Sequence, residues 1–273
     1  MDIRPLLPDL KKICLDAGQA IMAVYQRPDF DVQTKGDNSP VTAADLAAHL
    51  IIKERLAVLT PDIPQLSEED TSISDDVRLS WTRLWCIDPL DGTKEFIRRN
   101  DEFTVNIALI EKGQPIFGII HLPATGITYW GGHQLGAWKQ ENDGVAQAIH
   151  SRTLGPALTV TASRRHGQDE NDLLLKALSQ YFNPVENITH GSSLKMCLIA
   201  EGLADFYPRL FPTSEWDTAA AQAIVEAAGG LLIDAQTRVP LSYNQRSSLL
   251  NPFFYVVGDP AFPFHTLGLP EKT

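Results

Sequence analysis

Leu6, Leu10, Ile13, Cys14, Ala17, Ile21, Val24 and Tyr25 recur at helical spacing near the start of the chain. That spacing puts them on one stripe of an amphipathic helix. Pro28 ends it, because proline lacks the N–H that a helix needs. Lys35-Gly-Asp-Asn-Ser-Pro40 is six residues of turn chemistry and reads as a loop. Thr42 then opens a second helix, with Asp45 at the third position completing a capping-box-like pair. This helix runs to about residue 59, before Thr60-Pro61. Residues 84–87 are short and apolar and read as a buried strand. Residues 103–110, 115–122 and 127–130 follow as strands joined by glycine-containing turns, an antiparallel meander.

The pattern changes after about residue 152. Strand-like runs at 158–162, 185–190, 204–207, 231–234 and 253–257 alternate with helical runs at 169–182, 194–201 and 216–228. Alternation of this kind is α/β character. The expected organisation is two halves, 1–153 and 154–273, packed as one compact unit because no long linker separates them.

Composition narrows the functional classes. The chain has 273 residues, 44% hydrophobic and 21% charged, which excludes disorder and fibrous architectures. Its net charge of −11 argues against a nucleic-acid polymer as partner. Cys14, Cys86 and Cys197 are widely spaced, with no paired-cysteine motif, and read as reduced buried thiols. There is no long apolar run and no leader-like start, so the expected location is the cytoplasm. A peripheral position on the cytoplasmic face of the inner membrane is the alternative.

Asp88-Pro-Leu-Asp91-Gly-Thr93 stands directly after an apolar strand. Two carboxylates three residues apart across such a turn can converge, and hard oxygen ligands of this kind suit Mg²⁺ or Mn²⁺. Gly92 lets backbone N–H groups approach an anion. Glu68 and Glu69 precede Asp88 by 20 and 19 residues, and Asp217 follows Trp216 at a helix start. Four converging carboxylates repel by several kcal/mol unless cations lie between them. Such cations would also hold a phosphate, and the matching chemistry is metal-assisted hydrolysis of a phosphate ester. The spacing D-x-x-D, rather than D-x-D, argues for attack by water over an aspartyl nucleophile.

These three motifs, in this order, resemble the inositol monophosphatase superfamily, the lithium-sensitive, Mg²⁺-dependent sugar and nucleotide phosphatases. The resemblance covers about residues 5–260. It implies a layered α-β-α-β-α sandwich, with an antiparallel N-terminal half and an α/β C-terminal half. It implies metal ligation by Glu68, Asp88, the Leu90 carbonyl, Asp91 and Asp217, with two or three Mg²⁺ per site. Thr93 and Asp45 would form the pair that orients and deprotonates the attacking water, with Glu69 a further candidate. Gly92 and Thr93 would hold the phosphate, and residues 35–40 would form a mobile lid.

Within that superfamily, Lys94-Glu95-Phe96, Phe103-Thr-Val-Asn-Ile107, Gly191-Ser-Ser-Leu-Lys195 and Tyr207-Pro-Arg209 look like the 3′(2′),5′-bisphosphate nucleotidase branch. The implied substrate is adenosine 3′,5′-bisphosphate, cleaved at the 3′-phosphate to AMP, with its sulfated form as a second candidate. A bisphosphate needs a cationic clamp for the phosphate that is not cut. Ser192, Lys195 and Arg209 are the candidates, and His166, after Ser163-Arg-Arg, is a candidate for the nucleotide pocket. The alternatives are an inositol or sugar monophosphatase, which has no use for that clamp, and a non-enzymatic phosphate or metal sensor. The expected assembly is a monomer or homodimer.

Overall fold

The computed structural model describes residues 1–28, 33–34, 40–70, 72–162, 168–264 and 266–267. Most of the proposed lid, residues 35–39, and Ser163 and His166 lie outside that set. The chain opens with α1 (Leu7–Tyr25), a short ribbon of β1 (Gln33–Thr34) with β2 (Pro40–Val41), and α2 (Ala43–Leu59). A sheet follows, built from β3 (Gln65–Ser67), β4 (Arg83–Asp91), β5 (Thr104–Glu111), β6 (Gln114–Leu122), β7 (Ile127–Gly132), β8 (Gly136–Glu141) and β9 (Gln147–Ile149). The short helices α3 (Asp75–Arg78) and α4 (Thr93–Ile97) flank β4. The second half runs β10 (Leu158–Ala162), α5 (Gln168–Leu178), β11 (Val185–Thr189), α6 (Leu194–Ala200), β12 (Phe206–Arg209), α7 (Glu215–Ala227), β13 (Leu231–Asp234) and β14 (Phe254–Val257).

The first sheet keeps sequence order from β3 to β9. It is antiparallel except at its β3 edge, which pairs with β4 in parallel. The second sheet has the order β11-β10-β12-β14-β13, parallel across its first three strands and antiparallel across the rest.

Period-two alternation explains the layering. In β4, Trp85 and Ile87 point to one face and pack with α1 and α2 residues such as Leu10, Ile21 and Ile52. Leu84 and Cys86 point to the other and join Ala220, Ile224, Met196 and Ile199 of α7 and α6. Leu232, Phe254 and Val256 of the second sheet close that middle core. Val160, Phe206, Tyr255 and Val257 face outward against Leu174 and Leu178 of α5. The layers are therefore α-β-α-β-α.

The approach of α7 to the first sheet is unusually close because neither side carries bulk. Its alanines Ala219, Ala220 and Ala221 are buried, and opposite them β6 has Gly118. A Cβ added at Gly118 would lie 2.1 Å from the Ala220 carbonyl oxygen, a backbone atom that cannot rotate away. Gly118→Ala is expected to destabilise the protein by about 3 kcal/mol, through overpacking in the middle core. Chemical denaturation measures this, and a change below about 0.5 kcal/mol would contradict it.

The sequence reading departs from the structure in several places. Pro40, read from the sequence as the last residue of a loop, begins β2. The strand expected at 84–87 extends through the whole aspartate motif to Asp91, with a register shift between Asp88 and Asp91. The meander has two further strands, β8 and β9. Gly136-Ala-Trp-Lys-Gln-Glu141 and Gln147-Ala-Ile149 lie at the sheet edge and carry few apolar residues to signal them. The parallel β3 edge makes the first half mixed rather than purely antiparallel.

Candidate active site

The end of β4 sets the geometry. The irregularity after Asp88 breaks regular pairing, and Gly92 takes φ +91°, a left-handed conformation that starts α4. A Cβ at Gly92 would also come within 3.1 Å of the Glu102 carbonyl oxygen and 3.2 Å of the Ser192 Cβ. Asp88, Asp91 and Thr93 are thus presented on one tight corner where both halves meet.

Asp217 reaches this corner from the first turn of α7. One carboxylate oxygen from each of Asp88, Asp91 and Asp217 lies within 4.8 Å of the others. Each carboxylate is aimed by a backbone N–H. Leu90 N donates to Asp88 Oδ1 at 3.0 Å, Ser193 N to Asp91 Oδ2 at 2.6 Å, and Ser214 N to Asp217 Oδ2 at 2.8 Å.

Burial and mutual repulsion make this cluster electrostatically unsatisfied by itself. Burial, then the charges of Glu68, Asp91 and Asp217, hold Asp88 well above the usual carboxylate range. Burial raises Asp91, opposed by the nearby Lys195 ammonium. Burial, with Asp91 and Glu68, pushes Asp217 up to about 7. Glu68 also hydrogen-bonds Asp88, so it belongs to the same group. A set of oriented carboxylates crowded this closely fits a divalent cation and its hard-oxygen preference.

Asp45 and Thr93 stand beside it. Thr93 Oγ1 donates to Asp45 Oδ1 at 3.0 Å, and lies 3.3 Å from the Leu90 carbonyl oxygen. The other Asp45 oxygen accepts from Thr42 N at 2.8 Å and Thr42 Oγ1 at 2.6 Å. The capping box of α2 therefore locks Asp45 in place. Burial raises the Asp45 carboxyl above its ordinary value, and the Glu69 charge adds to that.

The cleft next to the aspartates is lined by Ser192, Lys195 and Arg209 as well as Asp91, Gly92 and Asp217. Lys195 is buried, unlike most lysines, and its Nζ donates to the carbonyls of Ser192 at 2.6 Å and His190 at 3.2 Å. Burial lowers its pKa to about 8. Arg209 is held by the Phe211 and Pro212 carbonyls, both at 3.2 Å. Ser192 adopts φ +44°, a left-handed conformation uncommon for serine.

Lys94 and Glu95 of α4 and Arg98 just after it also line the cleft, and sequence reasoning gave them no site role. Five residues of helix carry too little periodicity to show which way a side chain points. Their place directly after Gly92-Thr93 is the signal that could have found them.

Comparison with known proteins follows the same lines. The model of the inositol monophosphatase family matches residues 2–257. The 3′(2′),5′-bisphosphate nucleotidase CysQ of Escherichia coli K12 is 48% identical over 252 residues, covering 92% of this chain and 99% of that protein. The protein of the same name from Haemophilus influenzae is 37% identical, covering 96% of each. Among solved structures, CysQ from Bacteroides thetaiotaomicron superposes with a TM-score of 0.79 at 40% identity, covering 90% of this chain and 94% of that one. An IMPase of Thermotoga maritima, at 23% identity and a TM-score of 0.73, shares the fold, covering 93% of this chain and 92% of that one.

Proposed function

This chain belongs to the inositol monophosphatase family, and on that premise we propose that it is a 3′(2′),5′-bisphosphate nucleotidase. The substrate of this reading is adenosine 3′,5′-bisphosphate, with its sulfated form as a second substrate, and the products are AMP and inorganic phosphate. The observation that carries it is the juxtaposition, in one cleft, of the aspartate cluster with Ser192, Lys195 and Arg209. A monophosphate ester has one anion to bind, and a bisphosphate has two.

Glu68, Asp88, the Leu90 carbonyl, Asp91 and Asp217 would hold Mg²⁺, two or three ions per site, with Mn²⁺ as a substitute. When bound, these ions supply positive charge to the phosphate oxygens and ease deprotonation of water. The chain's own groups do the rest. Thr93 Oγ1 donates to Asp45, so its lone pair is free to accept a proton from the attacking water. Asp45, made more basic by burial, takes the threonine proton in turn. Glu69, whose charge acts on Asp45, supports that step. Gly92 and Thr93 backbone N–H groups hold the phosphate that is cut. As the water oxygen bonds to phosphorus, the P–O3′ bond breaks, and the ribose 3′ oxygen leaves with the bonding pair and takes a proton from solvent water.

Ser192, Lys195 and Arg209 bind the 5′-phosphate, and Lys195 and Arg209 supply its positive charge. His166 belongs to the nucleotide pocket in this reading. Among the described residues no helix is long and apolar enough to cross a membrane. The reading places the protein in the cytoplasm, acting on a free nucleotide.

The test is hydrolysis in ¹⁸O-labelled water by protein stripped with a chelator, then resupplied with Mg²⁺. The expected result is no release without metal, restored release with it, AMP as the nucleotide product, and one ¹⁸O atom in phosphate after a single turnover. Release of adenosine 3′-phosphate instead of AMP would overturn the assignment of which phosphate is cut.

A further inference from the structure

Thr104 and Asn106 in β5, and Ser193 just before α6, have no role in the reaction above, yet the fold joins them. Ser193 Oγ donates to Asn106 Oδ1 at 2.9 Å and lies 2.8 Å from Thr104 Oγ1. The Ser193 N–H donates to Asp91 Oδ2 at 2.6 Å, and Asn106 Nδ2 reaches the same oxygen at 3.5 Å, a long contact. All three side chains are at most 1% exposed. A polar network this deep is retained only when its members satisfy one another, and it then has few alternative arrangements. It spans the two halves of the molecule and converges on one oxygen of one carboxylate.

We propose that Asn106, Ser193 and Thr104 form a positioning unit for Asp91, fixing its carboxylate for metal binding and tying it to the turn that carries Ser192 and Lys195. This rests on reading Asp91 as a metal ligand. An aspartate side chain rotates about two bonds, and donors on Oδ2 remove that freedom before a cation arrives. Groups that orient a metal ligand in this way typically affect affinity by ~10–100-fold. Because Ser193 lies between Ser192 and Lys195 in sequence, any shift of that turn moves the donor on Asp91 as well. The site for the uncut phosphate and the metal site therefore share a mechanical part.

The test reads metal directly. Mn²⁺ is titrated into chelator-stripped protein without substrate, and free Mn²⁺ is followed by electron paramagnetic resonance. Asn106→Ala is expected to raise the Mn²⁺ Kd at least about tenfold. Ser193→Ala, which keeps the backbone donor, raises it less, and Ser193→Thr, which keeps the hydroxyl, restores affinity close to that of wild type. In parallel assays on adenosine 3′,5′-bisphosphate at limiting metal, kcat falls more than KM rises in Asn106→Ala. An Mn²⁺ Kd within about twofold of wild type in Asn106→Ala, with only a lower Tm, would show a purely structural network and overturn the proposal. If Asn106→Ala does not fold, equal Kd values for Ser193→Ala and Ser193→Thr overturn it instead. Failure of the nucleotidase reading shows separately, as wild-type protein that binds Mn²⁺ yet releases no phosphate from the bisphosphate, and the Mn²⁺ comparison still decides the proposal.

Discussion

Asp91→Asn is expected to lower kcat on adenosine 3′,5′-bisphosphate by at least roughly a thousandfold, about 4 kcal/mol of transition-state stabilisation, while the protein stays folded. The substitution keeps the shape of the side chain and removes one charge. That charge belongs to a cluster in which three carboxylate oxygens lie within 4.8 Å of each other. With metal bound, the loss weakens the cation that the phosphate needs. Without metal, it relieves repulsion, because burial and neighbouring acids already raise Asp88, Asp91 and Asp217. The metal-free variant is therefore expected to have a Tm equal to or above that of metal-free wild type, with a smaller Tm rise on adding Mg²⁺. Steady-state phosphate release and thermal melts with and without Mg²⁺ measure both. Activity near wild type would remove Asp91 from the site, and a collapsed Tm would make the activity loss uninformative.

Lys195→Ala is expected to raise KM for the bisphosphate by about a hundredfold and KM for a simple monophosphate by less than about threefold, with kcat for the latter little changed. The figure is what a charge-assisted contact of about 3 kcal/mol gives. Lys195 is buried, and its ammonium donates to the Ser192 and His190 carbonyls. Burial has already lowered its pKa to about 8. The group is charged below that value and loses its proton above it. Wild-type KM for the bisphosphate is therefore expected to climb as pH passes 8, and the Lys195→Ala variant is expected to lack that climb. Equal effects on both substrates would demote the clamp to ordinary packing.

Much of this was legible in the sequence because local rules and global fold agree. The stripe of α1, the Thr42–Asp45 capping box and the Ala-rich α7 all stand where periodicity and capping put them. Asp45 and Asp217 show why site residues were harder. Each is a third-position capping residue, and that structural role alone accounts for an acid there. The family resemblance implied a second role for both, and the fold turns the same carboxylates toward Thr93 and the aspartate cluster. The arrangement needs no extra residues, since a capping box already fixes a carboxylate at a helix start.

Other features depend on contacts distant in sequence, and no local pattern carries them. No local pattern shows that Lys195, a candidate for the phosphate clamp by resemblance, is enclosed; that follows once α6 is packed between the sheets. Ser193 and Asn106, 87 residues apart in sequence, hydrogen-bond only because the fold brings the turn before α6 against β5. The last strand pair of the sheet, β8 and the edge strand β9, is not visible in the sequence because short strands with little apolar content give a weak alternation.

The most direct test of the central claim compares phosphate release from adenosine 3′,5′-bisphosphate and from inositol 1-phosphate, side by side, with Mg²⁺ and with Mg²⁺ plus Li⁺. The account expects fast, lithium-sensitive release from the nucleotide and slow release from inositol phosphate. Preference for inositol 1-phosphate, or no release from either, would contradict it.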